Sequence, residues 1–283
     1  MASLGNPKNT IEIIQKYEFM FQKKFGQNFL IATNVLEKII SSAGVTKEDC
    51  VLEIGPGIGP LTNQLALRAG KVTAIELDRS LLPILAETMA PHSNVEIISG
   101  DAMKLNLTEL VAEKFNGFTA KACANLPYNI TTPVITKLLE AGCFRSITVM
   151  IQKEVAQRIC AAPGNSDCGA FSLFCQYYAE CSLLFEVPPE CFLPAPKVTS
   201  AVIQLIPRSS PPVDADPKVL FSVIKAAFAQ RRKTLLNGLS AAYGNRYTKD
   251  QLRQLIIDSG LSESVRGERL SLDDFARLAN FLQ

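Results

Sequence analysis

Val51-Leu52-Glu53-Ile54-Gly55-Pro56-Gly57-Ile58-Gly59 runs from a strand-like apolar segment into a glycine-rich turn, and a helical stretch follows from Leu61 to Ala69. Strand, glycine turn and helix together make a nucleotide-approach geometry, because glycine permits positive φ and lets a ligand touch the backbone. The spacing is GxGxG rather than GxGxxG, and no GK[ST] follows, which argues against a nicotinamide cofactor and against a nucleoside triphosphate. Outward from this turn the chain alternates. Strand-like runs at Val72 to Leu77, Val95 to Ser99, Ala120 to Ala124 and Ile147 to Ile151 are separated by helical stretches around Leu81 to Met89, Leu107 to Phe115 and from Thr131. That alternation predicts a doubly wound, mostly parallel α/β sheet with its site along the carboxyl edge of the strands.

Each strand end carries a candidate for that site. Glu76, 21 residues after Gly55, is a carboxylate placed to accept both hydroxyls of a ribose, the alternative being a solvated strand end. Gly100-Asp101-Ala102 closes the third strand; Asp101 can accept from an adenine amino group, or cap a turn. Asn125-Leu126-Pro127-Tyr128 leaves the fourth strand as an amide, a stiff proline and an aromatic ring, a set suited to gripping an amino-substituted flat ring. Its bland alternative is a strand-to-helix turn. Phe192 lies in the proline-rich loop Pro188 to Pro196, whose stiffness keeps the ring from collapsing out of reach, unless the ring is simply core. Before the glycine turn, Thr33 is a candidate cap for a helix with Val35, Leu36, Ile39 and Ile40 on one face and Gly44 past its end.

The 283 residues suggest one large domain and a smaller one. After two further strands, Leu183 to Val187 and Val198 to Ile206, Ser209-Ser210-Pro211-Pro212 forms a linker, so the expected division is 1–207 for the sheet domain and 213–283 for a small all-α domain. From Arg208 onward the chain holds 12 Lys plus Arg against 8 Asp plus Glu, or +4, whereas the preceding part holds 17 against 19, or −2. A basic tail on a slightly acidic body points to a polyanionic partner, and Lys23, Lys24, Arg231, Arg232 and Lys233 are the candidate contacts. Eight cysteines without a CxxC pair read as reduced, buried thiols, and the single histidine, His92, argues against a zinc site or a Ser/His/Asp triad. No run approaches the roughly 20 apolar residues of a membrane span, so a soluble, cytoplasmic protein is expected.

Taken in order, EIGPGIG (Glu53 to Gly59), Glu76, GDA (Gly100 to Ala102), NLPY (Asn125 to Tyr128) and FLPAPKVTS (Phe192 to Ser200) resemble the small-subunit ribosomal RNA adenine N6-dimethyltransferases of the KsgA type. KFGQNFL (Lys24 to Leu30) and VRGERLSLDDFARLA (Val265 to Ala279) extend the resemblance over nearly the whole chain. It implies a Rossmann-like methyltransferase sheet with an antiparallel last strand, and S-adenosylmethionine as cofactor. The cofactor would meet Asn28, Leu30, Gly55, Gly57, Glu76, Asp101, Ala102 and Asn125. It also implies that Asn125, with a carbonyl of Leu126 or Pro127, holds the target amine while Tyr128 and Phe192 sandwich the base. The implied substrate is two adjacent adenines near the 3′ end of 16S rRNA in a pre-30S-type particle, met by a monomer without metal. The expected rivals are a large-subunit rRNA adenine methyltransferase of the resistance type and a non-catalytic nucleic-acid-binding factor on the same fold.

Overall fold

The computed structural model describes residues 4–22, 26–230 and 233–282; Lys23, Lys24, Arg231 and Arg232 lie outside them. The chain divides into two compact units, Met1–Ala156 with Ser182–Pro207, and Gln157–Cys181 with Arg208–Gln283.

The first unit opens with α1 (Pro7–Lys16), the two-residue strand β1 (Phe29–Leu30) and α2 (Thr33–Ala43). It continues through β2 (Asp49–Ile54), α3 (Pro60–Arg68), β3 (Lys71–Glu76), α4 (Leu82–Met89), β4 (Val95–Ser99), α5 (Leu107–Phe115), β5 (Thr119–Asn125), α6 (Thr131–Glu140) and β6 (Ser146–Gln152). The helix α7 (Lys153–Ile159) leads into the second unit, α8 (Ala170–Tyr178) lies within it, and β7 (Ala179–Val187) leads back. β8 (Phe192–Leu193) and β9 (Ser200–Pro207) complete the first unit.

Seven strands form one sheet in the order β4-β3-β2-β5-β6-β9-β7. β2 pairs in parallel with both β3 and β5, β3 with β4 and β5 with β6, whereas β9 runs antiparallel to β6. The chain moves outward from β2 in one direction and then returns to build the other side, so the topological switch point falls between β2 and β5. Ligands of open α/β sheets sit in the crevice at such a point, beyond the carboxyl ends of the strands. All six residues of β2 are buried, as expected for a parallel strand covered on both faces, which is why it reads as an apolar run rather than an alternating one.

One local expectation fails in an instructive way. Thr33 is the first helical residue of α2 and not its cap; its Oγ1 donates to the Gly5 carbonyl at 3.1 Å, and the capping position belongs to Ala32, which makes no side-chain cap bond. Gly44 does end α2, with φ +57.

The second unit adds α9 (Pro217–Phe228), α10 (Leu235–Tyr243), α11 (Lys249–Asp258) and α12 (Leu272–Phe281). The expected boundary at residue 207 needs correction, because 157–181 belongs here as well. Leu173 and Tyr177 of α8 are buried in one core with Leu220, Leu239 and Phe275, and Tyr177 meets the Phe221 ring edge-on at a centroid distance of 5.0 Å. The aromatic face of α8 thus finds its partner far downstream, across the intervening strands, where no local pattern reveals it. α9 and α10 pack so closely that a Cβ on Gly238 would lie 2.5 Å from the Ala226 carbonyl oxygen. Since that neighbour is backbone and cannot step aside, Gly238→Ala should lower the unfolding free energy by about 1–3 kcal/mol, measured by chemical denaturation; an unchanged midpoint would contradict this packing.

Candidate active site

A cleft lies at the switch point, lined by Gly26 to Leu30, Glu53 to Gly57, Ile75 to Leu77, Gly100, Ala102 and Asn125 to Ile130, among others. The register explains this gathering: Ile54 is level with Ile75, Glu76 with Ser99 and Asn125 with Met150, so neighbouring strands end together.

The glycine turn forms the floor. Gly55 and Gly57 hold φ of +72 and +62, values that disfavour any side chain, and a Cβ on Gly57 would lie 3.0 Å from the Phe29 ring. Gly57 N–H donates to Glu76 Oε2 at 3.3 Å, and Asp78 N–H donates to Glu76 Oε1 at 2.7 Å. Glu76 is only 6% exposed, and burial pushes its carboxyl up to about 7 while these backbone donors pull it down. Each of its oxygens keeps a second lone pair, the requirement for accepting two vicinal hydroxyls.

Glu53 was not singled out as a site residue, yet it lines the cleft at 1% exposure and its Oε2 has no hydrogen-bond partner. Burial pushes its carboxyl up to about 8, the Thr62 hydroxyl beside it pulls the value down, and the Glu76 charge adds to the rise. A buried polar atom without a partner is costly, and a cleft is where a ligand can supply one. The available signal was a charged residue in the otherwise apolar β2, directly before the first glycine.

Asp101 Oδ1 accepts from Met103 N–H at 2.9 Å as a turn cap, and the flanking Gly100 and Ala102 line the cleft.

At the end of β5, Leu126 N–H donates to the Met150 carbonyl at 3.0 Å, extending the ladder into the site stretch. Asn125 Nδ2 donates to the Asn28 carbonyl at 3.2 Å, which turns its amide oxygen away from Asn28. The Pro127 carbonyl is occupied by Ile130 N–H and by Thr131 Oγ1, both at 3.2 Å, which makes the Leu126 carbonyl the better backbone acceptor beside Asn125. Tyr128 is partly exposed in the cleft, and its hydroxyl shares a 2.6 Å hydrogen bond with the buried Ser200 Oγ; burial raises its phenol above the usual value.

Phe192 departs from expectation. It is 3% exposed, packs in a core cluster with Leu30, Val187 and Val202, and is absent from the cleft lining. The proline-rich loop does not hold the ring out; it forms β8, which pairs antiparallel with β1 in the register Leu30↔Phe192 and Phe29↔Leu193, and the pairing turns the ring inward. Of the expected nucleic-acid contacts only Lys233 lies within the described residues, where it is exposed and its N–H donates to the Gln230 carbonyl at 2.8 Å. The eight cysteines are free, no group of three or more His, Cys, Asp or Glu among the described residues is placed to hold a metal ion, and His92 hydrogen-bonds Asn63 at 2.6 Å. Among the described residues no helix is long and apolar enough to cross a membrane.

The family described as ribosomal RNA adenine dimethylase matches residues 18–283. The chain belongs to this family. Among its relatives, ribosomal RNA small subunit methyltransferase A of Lachnoclostridium phytofermentans is 50% identical, with 100% of this chain and 98% of that one covered. The protein of the same name from a Geobacillus strain is 46% identical, with 99% and 98% covered. A dimethyladenosine transferase from Plasmodium falciparum superposes with a TM-score of 0.73 at 28% identity, covering 88% of this chain and 95% of that one. The 23S rRNA methyltransferase ErmE gives 0.67 at 23% identity over 89% and 98%, a likeness of fold. The dimethylase fold, a mostly parallel sheet with an antiparallel strand, is the one seen here.

Glu53 allows a test of this dimethylase cleft through pH. Its folded-state value, about 8, lies above its ordinary 4.5. Its contribution to stability is therefore fully present below the ordinary value and is lost as pH rises through the folded one. Glu53→Gln keeps the neutral shape without the titration. Its melting temperature relative to the parent should climb between about pH 5 and pH 8 and level off above; a pH-independent difference would contradict the assignment.

Proposed function

We propose that this dimethylase transfers methyl groups from S-adenosylmethionine to N6 of two adjacent adenines near the 3′ end of 16S rRNA, two to each, in a partly assembled small subunit. The observation that carries the reading is the Asn125 amide, anchored through Nδ2 to the Asn28 carbonyl so that Oδ1 is left to accept from an amine. Family membership supports adenine in ribosomal RNA as the acceptor, and relatives 45–50% identical over almost their whole length bear the small-subunit name. A large-subunit substrate is correspondingly not favoured, and the intact Asn125 to Tyr128 stretch speaks against a purely non-catalytic role.

The cleft residues suit a nucleoside cofactor. Glu76 offers both oxygens to a ribose, the Gly55 to Gly57 backbone allows close approach, Asn28, Leu30, Gly100 and Ala102 flank the space, and the buried Glu53 carboxyl borders it with Oε2 making no hydrogen bond. Bound there, the cofactor supplies an electrophilic sulfonium methyl, leaving position and electrostatics to the protein. The adenine N6 lone pair is delocalised into the ring and must be localised before it can react. Asn125 Oδ1 and the Leu126 carbonyl accept the two amine hydrogens and draw the nitrogen toward tetrahedral geometry. So held, the nitrogen would present its lone pair toward the donor's methyl group, and the proton it sheds on transfer could pass to water without a general base. Tyr128 stacks on the base once it leaves its helix, an interaction worth roughly 1–3 kcal/mol. A second cycle accepts N6-methyladenine, and with no hydrogen left on the amine the product loses its grip.

Phosphate contacts position without reading sequence, so the basic helical unit with Lys233, and the basic residues 23, 24, 231 and 232, would seat the rRNA by its shape. A monomer working in the cytoplasm on a pre-30S-type particle fits this picture.

Methyl-labelled cofactor incubated with immature small subunits should give N6,N6-dimethyladenine. Asn125→Ala should lose about a hundredfold or more in rate while cofactor binding stays measurable by calorimetry. Undiminished transfer by the variant, or label appearing only in large-subunit RNA, would overturn the reading.

A further inference from the structure

Asp78 stands two residues past the end of β3, 4% exposed, and its carboxylate gathers more donors than a turn requires. Oδ1 accepts from Ser80 N–H at 3.0 Å and from Ser80 Oγ at 2.6 Å, which accounts for the single helical turn Arg79–Leu81. Two glutamines from the N-terminal segment need another explanation. Gln27 Nε2 donates to Oδ2 at 2.7 Å, and Gln22 Nε2 lies 3.3 Å from the same oxygen. Gln27 is held at both ends of its amide, since its Oε1 accepts from Gln22 N–H at 2.9 Å. Turning the amide over would set its NH₂ against an N–H donor and its oxygen against a carboxylate, so its orientation is locked.

The residue after Gln27 is Asn28, whose carbonyl receives the Asn125 amide. On its other side Asp78 reaches Glu76 through its backbone N–H. A single buried aspartate therefore touches the ribose-accepting group through its backbone N–H and the acceptor-gripping amide through its carboxylate, by way of Gln27 and Asn28. Hydrogen bonds accepted by a carboxylate are shorter and stronger than those accepted by an amide oxygen, and in a buried place they hold position well.

We propose that Asp78 is a positioning residue for methyl transfer: by fixing Gln27 it sets the Asn28 carbonyl that aims the Asn125 amide, while its own N–H aims Glu76. The inference rests on Asn125 as the acceptor grip. Asp78→Ser keeps a short acceptor for the Ser80 N–H but cannot reach Gln27, and Gln27→Met removes the amide at similar length without touching the turn. Each should lower kcat ten- to hundredfold at saturating cofactor and subunit, because small misplacements at a reacting centre are expensive in rate. Calorimetric cofactor affinity should change far less, since the Glu76 contact is made by backbone. The double variant should be no slower than the slower single one, as residues acting through one contact are not additive. Deuterium exchange of the peptide spanning 26–30 should rise in both single variants. An unchanged kcat in Gln27→Met, or losses that multiply in the double variant, would overturn the proposal. If Asn125→Ala proves fully active, the acceptor-grip reading fails, while the exchange measurement still judges the hold of Asp78 on Gln27.

Discussion

The 3.2 Å hydrogen bond from Asn125 Nδ2 to the Asn28 carbonyl is the constraint on which the rest of the site depends. An asparagine amide can present either an acceptor or a donor to a ligand, and only the acceptor suits an amine. The Asn28 carbonyl decides between them by taking the nitrogen. For it to do so, two chain segments 97 residues apart must be brought within a hydrogen bond of each other. One is fixed by β5, locked between β2 and β6; the other by β1, which pairs with β8 and buries Leu30 in the core. The doubly wound sheet supplies the first requirement and the small antiparallel pair beside it the second.

A second feature is the concentration of carboxylate at the switch point. Glu53, Glu76 and Asp78 are all buried there, within a few residues of the ends of β2 and β3. Left unpaired, such groups are costly, and the protein handles each differently. Asp78 accepts from the Gln27 amide and from the Ser80 hydroxyl and N–H, Glu76 receives two backbone N–H groups, and Glu53 has the Thr62 hydroxyl beside it with Oε2 making no hydrogen bond. The series runs from a fully satisfied structural acid to a sparsely satisfied one facing the cleft. The site thus offers several buried carboxyl groups to a ligand rich in hydrogen-bonding groups, consistent with the nucleoside cofactor proposed for it.

Much of this was legible in the sequence because the signals are local. A parallel strand buried on both faces reads as a continuous apolar run, a turn needing positive φ selects glycine, and the offset from Gly55 to Glu76 follows from one strand–helix–strand unit. Asn125 to Tyr128 invited a site reading because an amide, a proline and an aromatic ring leave a strand end together, and all four residues line the cleft. What escaped reading depends on partners distant in the chain. Phe192 sits in a stiff loop that ought to expose it, but pairing with Leu30 turns it into the core. The aromatic face of α8 looks like part of the sheet unit until Phe221 is seen to be its partner. Thr33 has the chemistry of a cap and spends it on Gly5 instead. Glu53 was hidden by its own motif, where the glycines draw attention away from the acid before them.

The central claim is that the Asn125 oxygen and the Leu126 carbonyl together receive the target amine. A crystal structure of the chain with adenosine and a non-reactive cofactor analogue tests it most directly. The account predicts adenine N6 within about 3 Å of both oxygens, with Asn125 Nδ2 still on the Asn28 carbonyl. An N6 held by other groups, or an Asn125 amide turned with its nitrogen toward the base, would contradict it.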